Sequence, residues 1–522
     1  MTELARRYGL AVVFLVLVVL AVELVPSART RLVKPSSTDA GSRPYLPFGE
    51  PGTTAGGYAC GPGKRQVPWS KYAPLCEPKW HGDNGGATSP GVTATNIYVT
   101  YRMVASTEMA ELYDILPRAT IGTDAQVVQD LNAYIALFNK TFELYGRKVV
   151  LVPFEGQSDF VAEFEGGDMS QAEQDAATAK NNHAFADVSI IDSTPIYDQA
   201  LAQQGIISLS PFGGPASQFD QYSPYEYSTA SPLCQKGDLA TAEVVGRVLA
   251  GSPVSFSGDP SMNGKKRVFG IIEDSDPVSE ECTGYLTKLL ASYGIRPAVT
   301  VGVALDANRL VQESGTVIAQ LRAAGVTTVL TTTLDFLTPI FITSAADSAG
   351  YVPEWFNVDN LDGFTRKQDP REAAHSIALG LQPPPEQDTE AYEAFKLEDP
   401  GIAISPANRY IYDSVLTLFD SLEEAGPDLT PKTFQEGFRS IPDSMPGGMY
   451  GDWKLTPGAF DPLGTYQIVW WDSKSASNED GEPGAWVACN KGAQYSEIQG
   501  VEPSISKGTT LSCFGPSGRP PT

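Results

Sequence analysis

Hydrolytic, phosphoryl-transfer and dinucleotide chemistry each leave short motifs of fixed spacing. This sequence has no Gly-x-Ser-x-Gly elbow, no His-Glu-x-x-His pair, no Walker loop and no Gly-x-Gly-x-x-Gly after a strand. Its three histidines, His81, His183 and His375, lie roughly a hundred residues or more apart, so no two have metal-ligand spacing. The remaining polar residues are suited to holding a molecule rather than transforming one. Asp192-Ser193-Thr194 follows a strand-like segment, Val188 to Ile191, and its hydroxyls with the amino end of the next helix could hold a carboxylate. Glu273-Asp274-Ser275-Asp276 follows another strand. It reads first as a solvated turn whose Asp and Ser cap the next helix, and second as an acidic loop that could meet a cation or an amine. Asp359, between Val358 and Asn360, is a lone carboxylate at a strand end, which can pair with an ammonium or simply turn the chain. Phe219, Tyr222, Tyr225 and Tyr227 could wall a cleft or pack a hinge against its own prolines. Asn139-Lys140-Thr141 has the glycosylation pattern but falls inside a predicted helix.

The elements that must position these residues alternate. Asn96 to Tyr101 is rich in β-branched and aromatic residues and predicts a buried strand. Asp124 can cap a helix in which Val127, Leu131, Ile135, Phe138 and Phe142 recur at helical spacing. A strand Lys148 to Phe154, a helix opened by a capping box Ser170 to Glu173, the strand Val188 to Ile191, a helix Ile196 to Gln204 stopped by Gly205, and a strand Ile206 to Ser210 follow. Single helices between short strands imply parallel crossover units. After a Gly-, Pro-, Ser- and Tyr-rich break at Pro211 to Pro232, a second series runs through strands at Arg267 to Ile272, Ala298 to Val303, Thr328 to Thr332 and Trp355 to Val358. A helix opened by Ser405-Pro406 carries a stripe of Ile411, Val415, Leu418 and Leu422, and Tyr466 to Trp471 is the last strand-like segment.

With 522 residues, 42% hydrophobic and 19% charged, the chain is globular and long enough for about two or three domains. A net charge of −25 argues against nucleic acid or an anionic membrane as partner, because both require clustered Lys and Arg. Arg6 and Arg7 precede an apolar run from Leu10 to Val22, and Pro26-Ser27-Ala28 follows, which is the order of a secretory signal. The run is shorter than the ~20 residues of a membrane span. Segment 1–30 is therefore expected to be a signal peptide or an N-terminal anchor, and the protein to be extracytoplasmic, secreted or tethered. An even number of cysteines in an exported chain favours disulfides. Their grouping favours Cys60 with Cys76, Cys234 with Cys282 and Cys489 with Cys513, against the alternative that some are buried thiols.

Pro90-Gly91-Val92-Thr93 before the first strand, Tyr145-Gly146-Arg147-Lys148-Val149, Gly205-Ile206, Ala323-Ala324-Gly325-Val326-Thr327-Thr328-Val329 and the passage Ala345 to Trp355 resemble the type 1 periplasmic binding proteins. Within that group they are similar to the branched-chain amino-acid (leucine/isoleucine/valine) binding family of ABC importers. The resemblance spans about Pro90 to Trp471 and implies an α/β fold of two doubly wound parallel-sheet lobes joined by a hinge of three crossovers. Laid on this chain, it places 31–91 as a linker with the Cys60/Cys76 loop, 92–228 with 357–428 as the first lobe, 229–356 with 429–475 as the second, and 476–522 as an irregular tail. It implies Ser193 and Thr194, then Phe212 and Gly213 through their backbone, as ligand contacts, with Asp359 as the acidic partner of an ammonium. The aromatic that family members offer from the second lobe has no counterpart at Asp276-Pro277-Val278. The implied activity is solute binding for an ABC permease complex, by a monomer that uses no cofactor or metal and is not an enzyme. The alternative is an extracytoplasmic sensing or interaction module of the same fold.

Overall fold

A computed structural model describes residues 48–103, 122–164, 166–332, 337–357, 361–445 and 451–514. The expected leader and Asp359 lie outside these residues. Among the described residues no helix is long and apolar enough to cross a membrane.

The chain enters through an antiparallel pair, β1 (Gly52–Thr53) and β2 (Ala59–Cys60), closed by the Cys60–Cys76 disulfide with Cα atoms 5.6 Å apart. This region was expected to be a linker, yet Val67, Tyr72 and Ala73 are fully buried in the core that follows. Tyr72 donates its hydroxyl to the Gly451 carbonyl at 2.8 Å. Burying an aromatic of that size contributes on the order of 2 kcal/mol, enough to keep the segment docked.

The first lobe is an all-parallel sheet of β3 (Asn96–Met103), β4 (Lys148–Glu155), β5 (Ala186–Asp187), β6 (Ile207–Ser210) and β7 (Glu226–Ser228) in the order β4-β3-β5-β6-β7. Its helices are α1 (Asp124–Thr141), α2 (Phe160–Phe164), α3 (Met169–Asn181), α4 (Pro195–Gln204) and α5 (Ala216–Tyr222). Details of the local expectations shift. Thr123, not Asp124, caps α1, forming a reciprocal box with Gln126. The box expected at Ser170 to Glu173 does not form: the cap of α3 lies two residues earlier, at Asp168, which is in a left-handed conformation. The strand expected at Val188 to Ile191 ends at Asp187, because the Asp187 carboxylate accepts the Ser189 backbone N–H at 2.9 Å and turns the chain out of the sheet. Gly205 stops α4 as expected, its φ of 77° being one that a glycine adopts without strain. Strand β7 and helix α5 lie within the stretch Pro211 to Pro232 that was read as a break between the two series.

The second lobe begins with α6 (Cys234–Val244), pinned to α7 (Pro277–Ser292) by the Cys234–Cys282 disulfide. It continues through β8 (Phe269–Asp274), β9 (Thr300–Val303), α8 (Ala307–Ala323), β10 (Thr328–Thr331), α9 (Leu337–Ser348), β11 (Glu354–Asn357), α10 (Asp362–Thr365), α11 (Pro370–Ala373) and β12 (Ser376–Gly380). Strands β9-β8-β10-β11-β12 are parallel. The chain then returns to the first lobe as α12 (Glu390–Glu398), α13 (Asn408–Ala425) and α14 (Pro431–Phe438), whose apolar faces join the core of α1 and β3. It finishes on the large sheet as β13 (Thr465–Ala476), β14 (Pro483–Ala488) and β15 (Gln494–Ser496), all antiparallel.

Three expected boundaries move accordingly. Residues 376–380, assigned to the first lobe, pair with β11 in the second. Phe434, Phe438, Ile441, Trp453 and Phe460, assigned to the second lobe, are buried in the first. The tail thought irregular carries two strands, with Cys489–Cys513 closing it. At the crossovers, Lys236 Nζ donates to Asp461 Oδ1 and the Leu463 carbonyl, both at 2.6 Å, and Ser228 N donates to the Phe460 carbonyl at 2.9 Å.

Candidate functional site

Open parallel sheets bind ligands beyond the carboxyl ends of their strands. In the first lobe those ends are formed by Tyr101 to Met103, Glu155 to Ser158, Asp187 to Thr194 and Ser210 to Gly214. Ser193 and Thr194 are 2% and 0% exposed. The Ser193 hydroxyl donates to Asp198 at 2.5 Å. The Thr194 hydroxyl donates to Glu163 at 2.6 Å and accepts the Tyr197 N–H at 3.2 Å, capping α4. Both hydroxyls are therefore engaged within the lobe. Phe212 packs edge-on against Phe164, with ring centres 5.4 Å apart, and its N–H donates to Ser210. Helix α2 thus joins the two halves of the expected site, Glu163 on Thr194 and Phe164 on Phe212. Gly213 lies so close to the first crossover that a Cβ would stand 2.1 Å from the Pro232 carbonyl oxygen. Beside the expected position of Asp359, Asn357 accepts the Thr331 hydroxyl at 2.8 Å, and its side-chain nitrogen is buried without a partner.

In the second lobe, Asp276 accepts the N–H groups of Val278 and Ser279 at 2.9 and 3.1 Å, which is the capping role. Phe219 and Tyr227 are buried against Phe460, and Tyr227 also against Phe434 and Phe438, so these two aromatics pack the core of the first lobe rather than wall a cleft. Among the described residues no cluster of His, Cys, Asp and Glu is arranged to hold a metal ion.

The sequence reading missed the most heavily charged part of this edge. Arg102, at the end of β3, is 1% exposed and makes a two-pronged pair with Glu163 at 2.9 and 3.0 Å. It also reaches Asp175 at 3.3 Å and stacks 3.8 Å above the Tyr197 ring. Burial alone would lower its pKa, but the hydrogen bonds and charge of Glu163 hold it above the ordinary value. Around it, Asp187 accepts from Thr100 at 2.6 Å and Tyr197 at 3.1 Å, and Asp192 accepts the Tyr101 hydroxyl. Burial pushes the Asp187 carboxyl up; burial and then the neighbouring Asp124 push Asp192 far above the usual carboxylate range. Asp124 is raised to about 6 by burial, and Asp198 to about 6 by burial against the hydroxyls it accepts. An arginine directly after the strand-like run Asn96 to Tyr101 was a usable signal, because a guanidinium drawn into a buried strand requires carboxylate partners.

No protein-family model matches the sequence, and no curated protein does. Solved structures do resemble it. An ABC transporter substrate-binding protein from Aeropyrum pernix aligns with a TM-score of 0.54 at 11% identity, over 78% of this chain and 97% of its own. A fatty acid ABC transporter substrate-binding protein from Thermomonospora curvata gives 0.52 at 14% identity, over 78% and 95%. A solute-binding protein from R. palustris in complex with 4-hydroxybenzoate gives 0.51 at 12%, over 75% and 96%. The chain therefore has the fold of the type 1 periplasmic binding proteins, the one used by ABC transporter substrate-binding proteins.

Proposed function

We propose that the protein is an extracytoplasmic, non-enzymatic solute-binding component of an ABC-type importer, enclosing a small polar solute between its lobes and presenting it to a membrane permease. The observation that carries this reading is the pairing of a parallel sheet with a second sheet of parallel core strands β9-β8-β10-β11-β12, joined by three crossovers in a fold shared with substrate-binding proteins. On this reading the backbone at Ser193, Thr194, Phe212 and Gly213 lines the solute, and Asp359 is the acidic partner of a solute ammonium. Segment 1–30 exports or tethers the chain, which acts as a monomer. Closure would proceed by hinge motion about the crossovers.

A second reading, an extracytoplasmic sensing or interaction module, is favoured by the share of this chain outside the likeness to solved structures. The test is a thermal-shift screen against amino acids, amides, sugars, short peptides, fatty acids and aromatic acids. A ligand at ~100 times its Kd adds about 2.7 kcal/mol, a shift of a few degrees for a lobe-sized unit. A flat response across the panel would sink the importer reading.

A further inference from the structure

Ser405-Pro406 was expected to open α13, yet the Ser405 hydroxyl and N–H both go to Asp130 Oδ2 of α1, at 2.6 and 3.0 Å. The 18-residue helix is left without a side-chain cap. Such an amino end offers N–H groups and the positive pole of the helix dipole. Its first turn adds two further donors. Asn408 is 6% exposed and its Nδ2 has no acceptor, which costs free energy until something polar meets it. Arg409, partly exposed, donates from Nη2 to the Tyr410 hydroxyl at 2.8 Å and lies 4.8 Å from the centre of that ring. Its carboxylate neighbour is Glu479 at 3.7 Å, close enough for attraction but too far for a hydrogen bond.

The position of this turn follows from the topology. Helix α1 ends a short turn before β4 begins, so its amino end lies at the carboxyl edge of the first sheet. The loop before α13 is seated on that half of α1, where Gln129 also donates to the Ala403 carbonyl at 3.2 Å. The amino end of α13 is therefore at the edge where open parallel sheets bind ligands. Glu479 comes from the other lobe, in the turn that joins β13 to β14. That turn is held to the second lobe by the Arg366–Asp480 ion pair, and Asn478 donates to the Pro383 carbonyl at 2.8 Å. Arg409 and Glu479 thus face each other from different lobes.

We propose that the amino end of α13 is the subsite for a carboxylate of the solute. Arg409 supplies the counter-charge, Asn408 and the first-turn N–H groups supply hydrogen bonds, and Glu479 attends the guanidinium only until the solute's own carboxylate displaces it. The proposal rests on the solute-binding reading and deepens it. The hydroxyls of Ser193 and Thr194, where the family resemblance would put a carboxylate, are already engaged, so the anionic group needs donors elsewhere on the same edge. Asp413, one turn further along α13, also faces the guanidinium, but burial pushes its carboxyl well above the ordinary range and makes it a weak competitor.

The experiment uses the full chain at pH 7.5. Probes that differ only at the acid are compared by thermal shift and calorimetry: leucine with leucinamide, hexanoate with hexanamide, and 4-hydroxybenzoate with 4-hydroxybenzamide. At least one acid is expected to bind, and its amide to bind about tenfold or more weaker, the worth of one charge-assisted hydrogen bond. R409Q should bring the acid down to the level of its amide, R409K should keep part of the preference, and N408A should weaken the acid by a smaller factor. E479Q should act in the opposite direction and tighten the acid, because it removes the carboxylate that competes for Arg409. A group that merely holds the fold together would not do that. If R409Q does not fold, E479Q and the wild-type comparison of acid with amide decide the matter. Equal binding of acid and amide, or an acid preference that survives R409Q, overturns the subsite while leaving solute binding intact. So does weaker acid binding in E479Q. Silence from every probe removes the solute-binding reading and this one with it.

Discussion

At the scale of single residues, the strongest constraints are placed by groups with no room or no alternative partner. Gly213 faces the Pro232 carbonyl so closely that even a methyl group must displace backbone. Gly213→Ala is expected to cost about 1–3 kcal/mol in urea unfolding, the usual penalty of overpacking. An unchanged midpoint would show that the crossover yields freely. Arg267 and Glu354 make a buried pair at 2.7 and 2.9 Å that ties the start of β8 to the start of β11, and Glu354 also accepts the Thr328 hydroxyl and the Ser255 N–H, each at 2.7 Å. Glu354→Ala strands a buried guanidinium and should cost roughly 3–5 kcal/mol by chemical denaturation. Glu354→Gln should cost less, since it keeps some of the hydrogen bonds.

At the scale of elements, the helices α12 to α14 and the strands β13 to β15 show how packing assigns a segment to a lobe. Helix α13 buries Ile411, Val415, Leu418, Phe419 and Leu422 on the face turned towards α1, and Phe434 and Phe438 of α14 extend the same core. Strand β13 begins where the chain leaves that core, and its pairing with β12 and β14 covers what would otherwise be an exposed edge of the large sheet. The Cys489–Cys513 bridge closes a loop with a sequence separation of 24 over this extension. Replacing both cysteines by serine is expected to lower stability by roughly 3–4 kcal/mol on the loop-entropy account. Matching melts of the oxidised protein and the double variant would show that the tail contributes nothing to the lobe.

At the scale of the whole molecule, buried carboxyls set the response to pH. Burial raises Glu77 to about 7, Asp130 to about 6, and Glu226, Asp238, Glu372 and Glu497 to about 8. Each binds its proton more tightly folded than unfolded. The stability this provides is complete below the ordinary carboxylate range and is lost as pH rises from there through about 8. Melting temperature is therefore expected to be higher at pH 5 than at pH 8, and a rise across that interval would contradict the placement of these groups. The groups lie in both lobes and in the docked N-terminal segment, so the effect should appear as a shift of the main transition.

What could be read from the sequence was what short-range physics decides. Period and composition located β3, α1 and most of the second series, Gly205 marked the end of α4, and the separation of the cysteines into three couples matched the three bridges. Contacts between residues hundreds of positions apart were not legible. Strand β12 is a five-residue apolar segment that could pair in either lobe, and only its register against β11 assigns it. The hydroxyls of Ser193 and Thr194 looked free in sequence because Asp198 and Glu163 reach them through the folding of α4 and α2. The charged edge depends on the same long-range closure: Arg102, Glu163, Asp175 and Asp192 are ordinary polar residues until burial removes their water and makes each one answer to the others.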